Sequence, residues 1–527
     1  MTHRPLPLPE RPDLEQLKRQ AKDLLRAARD HAPGARSRFR VLPAFAKATD
    51  DELERSELAL HDAQSVVARE HGFPSWNQLR ERVEELTFDL ATAADGTVKA
   101  ATDGRVDRAE RLLATFPAAR RASFWVELVL GDTAAVEARL AADQGLATRR
   151  GGPRDWEPLH YVCHTSMAGS DVADADGLVR VARSLIALGA DPNLKFPWLH
   201  HAVYRPVLWG ATRVVRLLPL AEALLELGAD PNDGVTLPLA ASAGDLATLD
   251  LLRAYGVDPN YPWGTDGSAP LYAMLTWSEM AAGARWLVEH GANADPVFPA
   301  NGETPLHVVA AKWDVELAEL LVEHGADISR PRNDGRTPYA VAELNANRAV
   351  ADWLLAQGAD GALAEVDRLV AAGSRGDRAT VDAMLAGRPA LRDAIDDEHY
   401  AALHLAAERG DVVALEALLA CGFDPDRPDN SIGKTALHSA AMAGQPAAVR
   451  VLLAHGASVS MRDREFHGQP LVWAAEGASS HGGGRMLEYE TVGRLLIEAG
   501  SPLDWHAGDE PAEGLVDTLQ AWTRGKT

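Results

Sequence analysis

A group of residues between positions 155 and 205 has the side chains that acid–base chemistry requires. A carboxylate and imidazoles can exchange protons with a substrate, a phenol can donate one, and a guanidinium can hold an anionic group. Brought together in an aromatic pocket, these side chains could form the site of an enzyme or of a protein that binds a small molecule. The residues are Asp155, His164, His201, Tyr204 and Arg205.

The common sequence motifs of enzymes are missing from the chain. It contains no glycine-rich phosphate loop, no nucleophile elbow, and neither a His-Glu-x-x-His nor a Cys-x-x-Cys motif. His160, Cys163 and His164 share a helix face at spacings that zinc accepts, but no fourth ligand is evident. We therefore expect no metal and no cofactor, and the sequence favours a non-catalytic binding function over an enzyme.

Aromatic residues are concentrated in the middle of the chain. Several of the 13 tryptophans lie between residues 156 and 313, with tyrosines among them. Exposed rings on a concave surface bury large apolar areas against a partner, so this clustering favours a recognition surface. The alternative is that the rings fill gaps left by irregular packing. The tryptophans concerned are Trp156, Trp198, Trp209, Trp263, Trp277 and Trp313.

The stretch from Asn301 to Asp327 reads as one complete repeat unit. Thr304 caps a first helix, and Pro305 stands in its first turn, where the missing N–H is not needed. A second helix follows from Val315 to His324 and stops at a glycine, which tolerates the left-handed conformation. The commonest interval between such glycines is 33 to 34 residues. The Gly-Ala-Asp signal or a close variant begins at Gly189, Gly228, Gly256, Gly291, Gly325, Gly358, Gly422, Gly456 and Gly500.

A Thr-Pro-Leu-His pattern opens several of these units, and together with the period it resembles the ankyrin repeat family. The resemblance covers roughly residues 88 to 504. It implies an all-α solenoid of helix-turn-helix repeats with β-turn fingers, used as a scaffold for binding. Near copies of the pattern stand at Pro158–His160, Pro270–Tyr272, Thr304–His307, Ala402–His404 and Thr435–His438.

In this family the first helices and the fingers line a concave groove. The resemblance places His164 and Thr165, Tyr204 and Arg205, and Lys312 at groove-facing helix positions. We expect a protein or peptide partner to bind there, and a small-molecule ligand is the alternative. The predicted binding residues are Arg154, Trp156, His164, Tyr204, Arg205, Trp263, Trp277, Lys312 and Trp313.

The first 87 residues read as three amphipathic helices that begin near Leu14, Thr49 and Ser75, the second extending to His71. The stretches LKRQAKDLLRA and AREHGFPSW look like the helical module that precedes the repeats in bacterial ankyrin proteins, which implies a capping role. The repeat pattern begins near Phe88 and again near Ala362, so we expect two blocks. The predicted domains are a capping module at 1–87, block one at 88–361, block two at 362–504 and a C-terminal cap helix at 505–527.

Composition narrows the choice of partner and compartment. A formal charge of −23 over 527 residues repels a phosphate backbone, so nucleic acid is not an expected partner. Two distant cysteines do not form a disulfide framework, which fits a reducing compartment. Neither a signal-peptide core nor an apolar run of membrane-spanning length occurs. We expect a cytoplasmic protein, monomeric or weakly dimeric, that does not contact a membrane.

Overall fold

The computed structural model describes most of the chain, in two compact units. It covers residues 6–9, 12–46, 48–198, 203–263, 269–277, 280–429, 432–481 and 485–502, without the side chains of 44, 196–198, 203, 204, 277 and 479–481. The N-terminal unit comprises the described residues of Met1–Ala240 and Leu246–Asp258. The C-terminal unit comprises those of Ala241–Asp245 and Pro259–Thr527. The predicted boundary at 361/362 falls inside the C-terminal unit, and the predicted cap helix at 505–527 lies outside the described residues.

The described residues are mostly helical, as the sequence predicted. The helices that begin before residue 250 are α1 (Leu14–Arg29), α2 (Asp50–Arg55), α3 (Leu60–Glu70), α4 (Trp76–Glu85), α5 (Leu90–Thr102), α6 (Val106–Thr115), α7 (Phe124–Leu130), α8 (Thr133–Ala142), α9 (Pro158–Cys163), α10 (Ala175–Ala187), α11 (Val207–Trp209), α12 (Leu218–Glu226), α13 (Thr236–Ser242) and α14 (Leu246–Ala254). Strands β1 (Lys195–Trp198) and β2 (Val203–Pro206) form an antiparallel pair, and a π-helix (Gly210–Val215) continues α11.

Helices continue in pairs through the C-terminal unit. They are α15 (Pro270–Trp277), α16 (Ala281–Glu289), α17 (Pro305–Lys312), α18 (Val315–Glu323), α19 (Pro338–Leu344), α20 (Arg348–Ala356), α21 (Glu365–Ser374), α22 (Arg378–Gly387), α23 (Tyr400–Arg409), α24 (Val412–Cys421), α25 (Ala436–Met442), α26 (Pro446–Ala454), α27 (Pro470–His481) and α28 (Met486–Glu498). Short 3-10 helices occupy Arg36–Val41, Pro43–Phe45, Pro117–Arg121, Gln144–Ala147, Met167–Gly169, Pro389–Ala394 and Asp397–His399.

The N-terminal helices enclose a core of their own, between Leu17 and Val83. The predicted second helix, from Thr49 to His71, is wrong as a single element, because the chain between α2 and α3 is extended. The Asp62 carboxylate accepts a hydrogen bond from the Ala59 N–H (3.0 Å) and so starts α3 separately. The Arg36 guanidinium donates to the Ser56 carbonyl (3.3 Å), which the helix break leaves without a helical partner.

Two of the motif histidines, His307 and His438, connect the backbones of neighbouring repeats. The His307 Nδ1 accepts the Thr304 N–H (3.2 Å), and its Nε2 donates to the Arg336 carbonyl of the next finger (3.2 Å). His438 is held in the same way by Thr435 and by the Gly468 carbonyl (3.0 and 3.1 Å). These bonds need the neutral imidazole, since a protonated Nδ1 could not accept the threonine N–H.

In four places among the described residues, a side-chain oxygen links a helix-ending loop to a later loop, and we call this series of bonds the loop ladder. In each bond the oxygen of an Asn or Asp accepts the backbone N–H of a residue in the following loop. The loop ladder occurs in both compact units, at the positions where the Gly-Ala-Asp-Pro-Asn signal was recognised. The described pairs are Asn193 with Asp230, Asn232 with Asp258, Asn260 with Asn293, and Asp426 with Ser458, each at 2.7 Å.

One repeat begins with a hairpin instead of a helix. The prediction that Tyr204 and Arg205 lie on a first helix is wrong, because both belong to β2, where Tyr204 pairs with Pro197 and Arg205 with Phe196. Pro206 explains the difference: proline disfavours the helical conformation in the residue before it, so no helix can run through Arg205 into Pro206. The helix starts immediately after it, at Val207.

A network of buried charges, which the sequence pattern does not predict, joins three successive parts of the C-terminal unit. The Arg336 guanidinium donates to both carboxylate oxygens of Asp367 on α21 (2.9 to 3.2 Å). The His399 Nε2 lies 2.8 Å from the same carboxylate. Burial alone would raise the pKa of Asp367, but the hydrogen bonds from His399 and Arg336 hold that pKa below its usual value. Several hydrogen bonds therefore offset the desolvation cost of burying this ion pair.

Close backbone contact between α7 and α10 requires a glycine at position 177. A Cβ atom built on Gly177 would lie 2.0 Å from the Gly131 carbonyl oxygen. We expect Gly177→Ala to lower the free energy of unfolding by about 1–3 kcal/mol, because two stretches of backbone must separate. Gly169→Ala is the control, since nothing lies within 4 Å of its added Cβ. Urea unfolding of the two variants checks this, and equal midpoints would contradict the expectation.

Candidate functional site

A finger turn before α9 presents Trp156. The turn is closed by a hydrogen bond from the Gly151 N–H to the Trp156 carbonyl (3.0 Å), with Asp155 in the left-handed conformation at φ 52°. The Tyr161 hydroxyl holds the turn from inside, because it donates to the Gly151 carbonyl (2.8 Å) and accepts the Arg154 N–H (3.0 Å). The Trp156 ring is thereby held half-buried, with part of its surface open to solvent.

Three rings extend from this finger across the N-terminal unit, and we call them, with the arginine at each end, the ring row. The Trp156 and His164 ring centroids are 5.9 Å apart, and those of His164 and Trp209 are also 5.9 Å apart. The guanidinium carbon of Arg154 lies 6.0 Å from the Trp156 ring, and that of Arg205 lies 5.1 Å from the Trp209 ring. Cations at such distances from indole faces are attracted by the ring quadrupole.

Gly210 allows the segment that carries Trp209 to approach the end of α9 closely. A Cβ atom there would lie 2.3 Å from the Cys163 carbonyl oxygen and 2.5 Å from the His164 Cε1 atom. Only glycine permits the π-helix to approach α9 this closely. Trp209, the residue before it, therefore reaches the imidazole of His164.

His164 is a core residue of the ring row and does not face a groove. It is 2% exposed, and the following Thr165 is fully buried, so neither occupies the groove-facing position that the sequence predicted. The His164 Nδ1 donates to the His160 carbonyl (3.1 Å). Burial, with a smaller contribution from the neighbouring His160, lowers the pKa of His164 to about 3. The imidazole is neutral at physiological pH and inaccessible to a substrate.

The other members of the predicted acid–base group do not join His164 among the described residues. Asp155 is exposed at the finger, and its carboxylate pairs with Arg150 at 3.2 Å. His201 and the side chain of Tyr204 lie outside the described residues. Arg205 is half-buried against Trp209.

The predicted binding residues after position 260 belong to the C-terminal unit, and two of them connect neighbouring repeats. The Trp313 indole N–H donates to the Leu275 carbonyl (3.1 Å), and the Lys312 ammonium donates to the Thr276 carbonyl (2.8 Å), both at the end of α15. Trp263 is half-buried. Trp277 ends α15, and its side chain lies outside the described residues.

Sequence reasoning missed Trp125, which supports the ring row from below. Its ring lies 5.1 Å from that of Tyr161, and a Cβ atom on Gly151 or Gly152 would lie 2.6 or 2.7 Å from its atoms. The paired glycines at 151 and 152 were the available signal, because adjacent glycines before a finger indicate close approach of a large side chain.

The described residues do not assemble a metal site. They contain no group of three or more His, Cys, Asp or Glu side chains arranged to hold a metal ion. Cys163, between the two histidines of α9 and its cap, is fully buried, and burial raises the pKa of its thiol. Within the same described residues, no helix combines the length and the apolar character needed to cross a membrane.

Comparison with known proteins identifies repeats between residues 237 and 463, most of them in the C-terminal unit. A family model described as ankyrin repeats matches three times, over residues 237–332, 281–364 and 369–463. Human ARF GTPase-activating protein GIT1 is 41% identical over 69 residues, 13% of this chain and 9% of that protein. Human CAP-Gly domain-containing linker protein 3 is 33% identical over 115 residues, 21% of this chain and 20% of that protein. Mouse Rabankyrin-5 is 31% identical over 103 residues, 19% of this chain and 9% of that protein.

The matched segments cover only a small part of each relative. The chain spans 9% to 20% of the lengths of these three relatives. The ring row, at residues 154–209, precedes the residues that the family model matches. Ankyrin repeats indicate a protein-interaction domain. The chain therefore carries ankyrin repeats across residues 237–364 and 369–463, preceded by many further helices.

Proposed function

We propose that the protein is a non-catalytic binding protein that recognises a protein or peptide partner through the ring row of its N-terminal unit. The observation that carries the proposal is the arrangement of Arg154, Trp156, His164, Trp209 and Arg205 in one series of contacting groups. The sequence predicts four of these five as binding residues and places Trp209 in the wider aromatic cluster.

The contacts favour recognition over catalysis. Trp156 is the part-exposed ring, and the rings of Tyr161, His160 and His164 pack around it at 5.3 to 6.1 Å. A rigid, half-exposed indole provides large contact area at small conformational entropy cost, as binding hot spots do. The neutral, enclosed His164 supports the ring row from within and does not offer a general base to a substrate.

Removing the Trp156 ring tests the proposal. We expect Trp156→Ala to weaken partner binding by at least about tenfold, because a central aromatic anchor contributes 2 kcal/mol or more to an interface. Partners captured from a lysate by the full chain would be identified by mass spectrometry, and their affinities then measured with purified proteins. Trp473→Ala is the matched control, since Trp473 is also half-buried but bonds Asp463 in the C-terminal unit.

The two variants separate the possible outcomes. Binding that is lost in Trp156→Ala and kept in Trp473→Ala supports the ring row. Binding that is kept in Trp156→Ala and lost in Trp473→Ala would overturn the proposal and move the interface to the C-terminal repeats.

We also propose that residues 1–87 act as a cap for the helices that follow. The contact between α4 and α6 supports this role: Glu85 is fully buried and lies 3.1 Å from Arg108 and 3.4 Å from Arg82. Glu81 pairs with Arg108 at 2.8 Å. The resemblance of residues 17–27 and 68–76 to bacterial modules supports a bacterial, cytoplasmic setting, which stays a prediction.

A further inference from the structure

The Arg205 guanidinium is half-buried and has no protein partner for its charge among the described residues. Its Nε atom is inaccessible to solvent and makes no hydrogen bond, and the contact that the side chain does make is with the face of Trp209. A cation placed in this way loses hydration without gaining an anion. Burial accordingly lowers the pKa of Arg205.

The other arginines whose pKa shifts are resolved behave in the opposite way. Each has carboxylate partners that outweigh burial, so its pKa is raised rather than lowered. They are Arg38, Arg105, Arg139, Arg332 and Arg336. Arg154, at the far end of the ring row, also has a partner, since it pairs with Asp103 and donates to the Thr102 hydroxyl (3.3 Å). Among the residues that the structure describes, Arg205 is therefore held in position on Trp209 without an anionic partner.

We propose that Arg205 binds the carboxylate of an acidic side chain in the partner peptide, while an aromatic or aliphatic residue elsewhere in the same peptide covers Trp156. This inference rests on the proposed function of the ring row and specifies the chemistry of its partner. A guanidinium stacked on an indole keeps its N–H edge free in the plane of the group, where it can grip a planar carboxylate with two parallel hydrogen bonds.

Charge selects a carboxylate over a phosphate. The ring row offers one unpaired guanidinium, because Arg154 is already paired with Asp103. A carboxylate carries a single negative charge and matches it, whereas a phosphate monoester carries nearly two at neutral pH and calls for a second cation. The neutral His164 does not provide that second charge.

Selection from a random heptapeptide library tests the inference with the full chain. We expect wild type to enrich peptides that carry both Asp or Glu and an aromatic or aliphatic residue. Arg205→Gln should still enrich the apolar residue but lose the acidic preference, and Trp156→Ala should lose the enrichment altogether. For a selected peptide, replacing its Glu by Gln should weaken binding to wild type about tenfold and binding to Arg205→Gln hardly at all.

The outcomes distinguish this inference from the proposed function. Enrichment of apolar peptides with no acidic preference would overturn the inference and leave the ring row as a binding site. Stronger binding of the phosphoserine version than of the Glu version would overturn the choice of a carboxylate. Lack of any enrichment by wild type would overturn both proposals.

We expect the Arg205→Gln variant to fold, so a loss of acidic preference would report on binding. Removing an unpaired, half-buried charge should leave the melting temperature of Arg205→Gln unchanged or raised. Should that variant fail to fold, Arg205→Lys keeps the charge but loses the two-pronged hydrogen bonding, and the Glu peptide should then bind more weakly than to wild type. Equal affinity of the Glu peptide for Arg205→Lys and wild type would contradict the bidentate contact.

Discussion

Replacing Arg336 by methionine is expected to destabilise the C-terminal unit by about 3–5 kcal/mol. The variant leaves the Asp367 carboxylate, whose side chain is 5% exposed, without the guanidinium that now donates to both of its oxygens. A buried charge that has lost its partner cannot recover its hydration, so most of the loss is desolvation energy. Urea unfolding followed by hydrogen exchange of α21 would measure it.

Arg388→Met provides the matched control, because its carboxylate partner Glu365 lies on α21, the helix that also carries Asp367. Arg388 pairs with Glu365, but the two side chains are 65% and 44% exposed. Exposed pairs contribute about 0–1 kcal/mol, so this variant should change stability little. Equal losses in Arg336→Met and Arg388→Met would contradict the assigned role of the buried network. The double variant Arg336→Met/Asp367→Leu should recover much of the loss, because no unpaired charge remains.

Acidification from pH 7 to 5 is expected to destabilise both units through their buried histidines. Burial lowers the pKa of His160, His307 and His404 to about 4 each, while an unfolded histidine titrates near 6.5. Between these values the unfolded chain binds more protons than the folded one, so stability is lost as the pH falls from about 6.5 towards 4. Each such histidine contributes a loss of about 2 kcal/mol at pH 5.

The carboxylates do not account for a loss in this range. Hydrogen bonds from Arg332 and from the Arg336 N–H outweigh burial and hold the pKa of Asp334 at about 2, below the usual value near 4. Asp334 therefore adds to the free energy of unfolding above pH 4, and this contribution is lost only as the pH falls towards 2. Asp334 and the buried histidines therefore affect stability in separate pH ranges.

Denaturant unfolding of the full chain at several pH values would check the histidine contribution. His307→Gln should reduce the proton uptake on unfolding between pH 6 and 5 by about one proton, or about 1.4 kcal/mol per pH unit. The effect should persist in about 0.5 M salt, because burial and not surface charge is its cause. An unchanged pH dependence in the variant would show that His307 titrates normally when folded.

The regular repeats could be predicted from the sequence because their signals are local. Thr304, Pro305 and His307 lie within four residues of one another and determine the start of α17 together. The same reasoning failed at β2, where Trp198 to His201 resembles the motif but Pro206 ends any helix that would begin there. A local pattern is reliable only where no neighbouring residue forbids the conformation that it implies.

The sequence predicted which residues belong to the site, but not how they are arranged. Trp156 and the two arginines were found from their types and positions, whereas the enclosure of His164 depends on Gly210, 46 residues later. The buried network was missed for the same reason, since Arg336, Asp367 and His399 are 31 and 63 residues apart along the chain. Pairing over such intervals follows from how the helices stack, which no single stretch of sequence encodes.

Because of the loop ladder, a repeat can gain or lose residues while the loops on either side of it stay bonded. Each bond joins one loop to a later loop, and the bonded residues are 37, 26, 33 and 32 positions apart. The connection therefore tolerates insertion or deletion in the chain between the two loops. The interval of 37 residues contains the β1–β2 hairpin that carries Arg205. New recognition elements can thus enter one repeat during evolution while its neighbours stay in register.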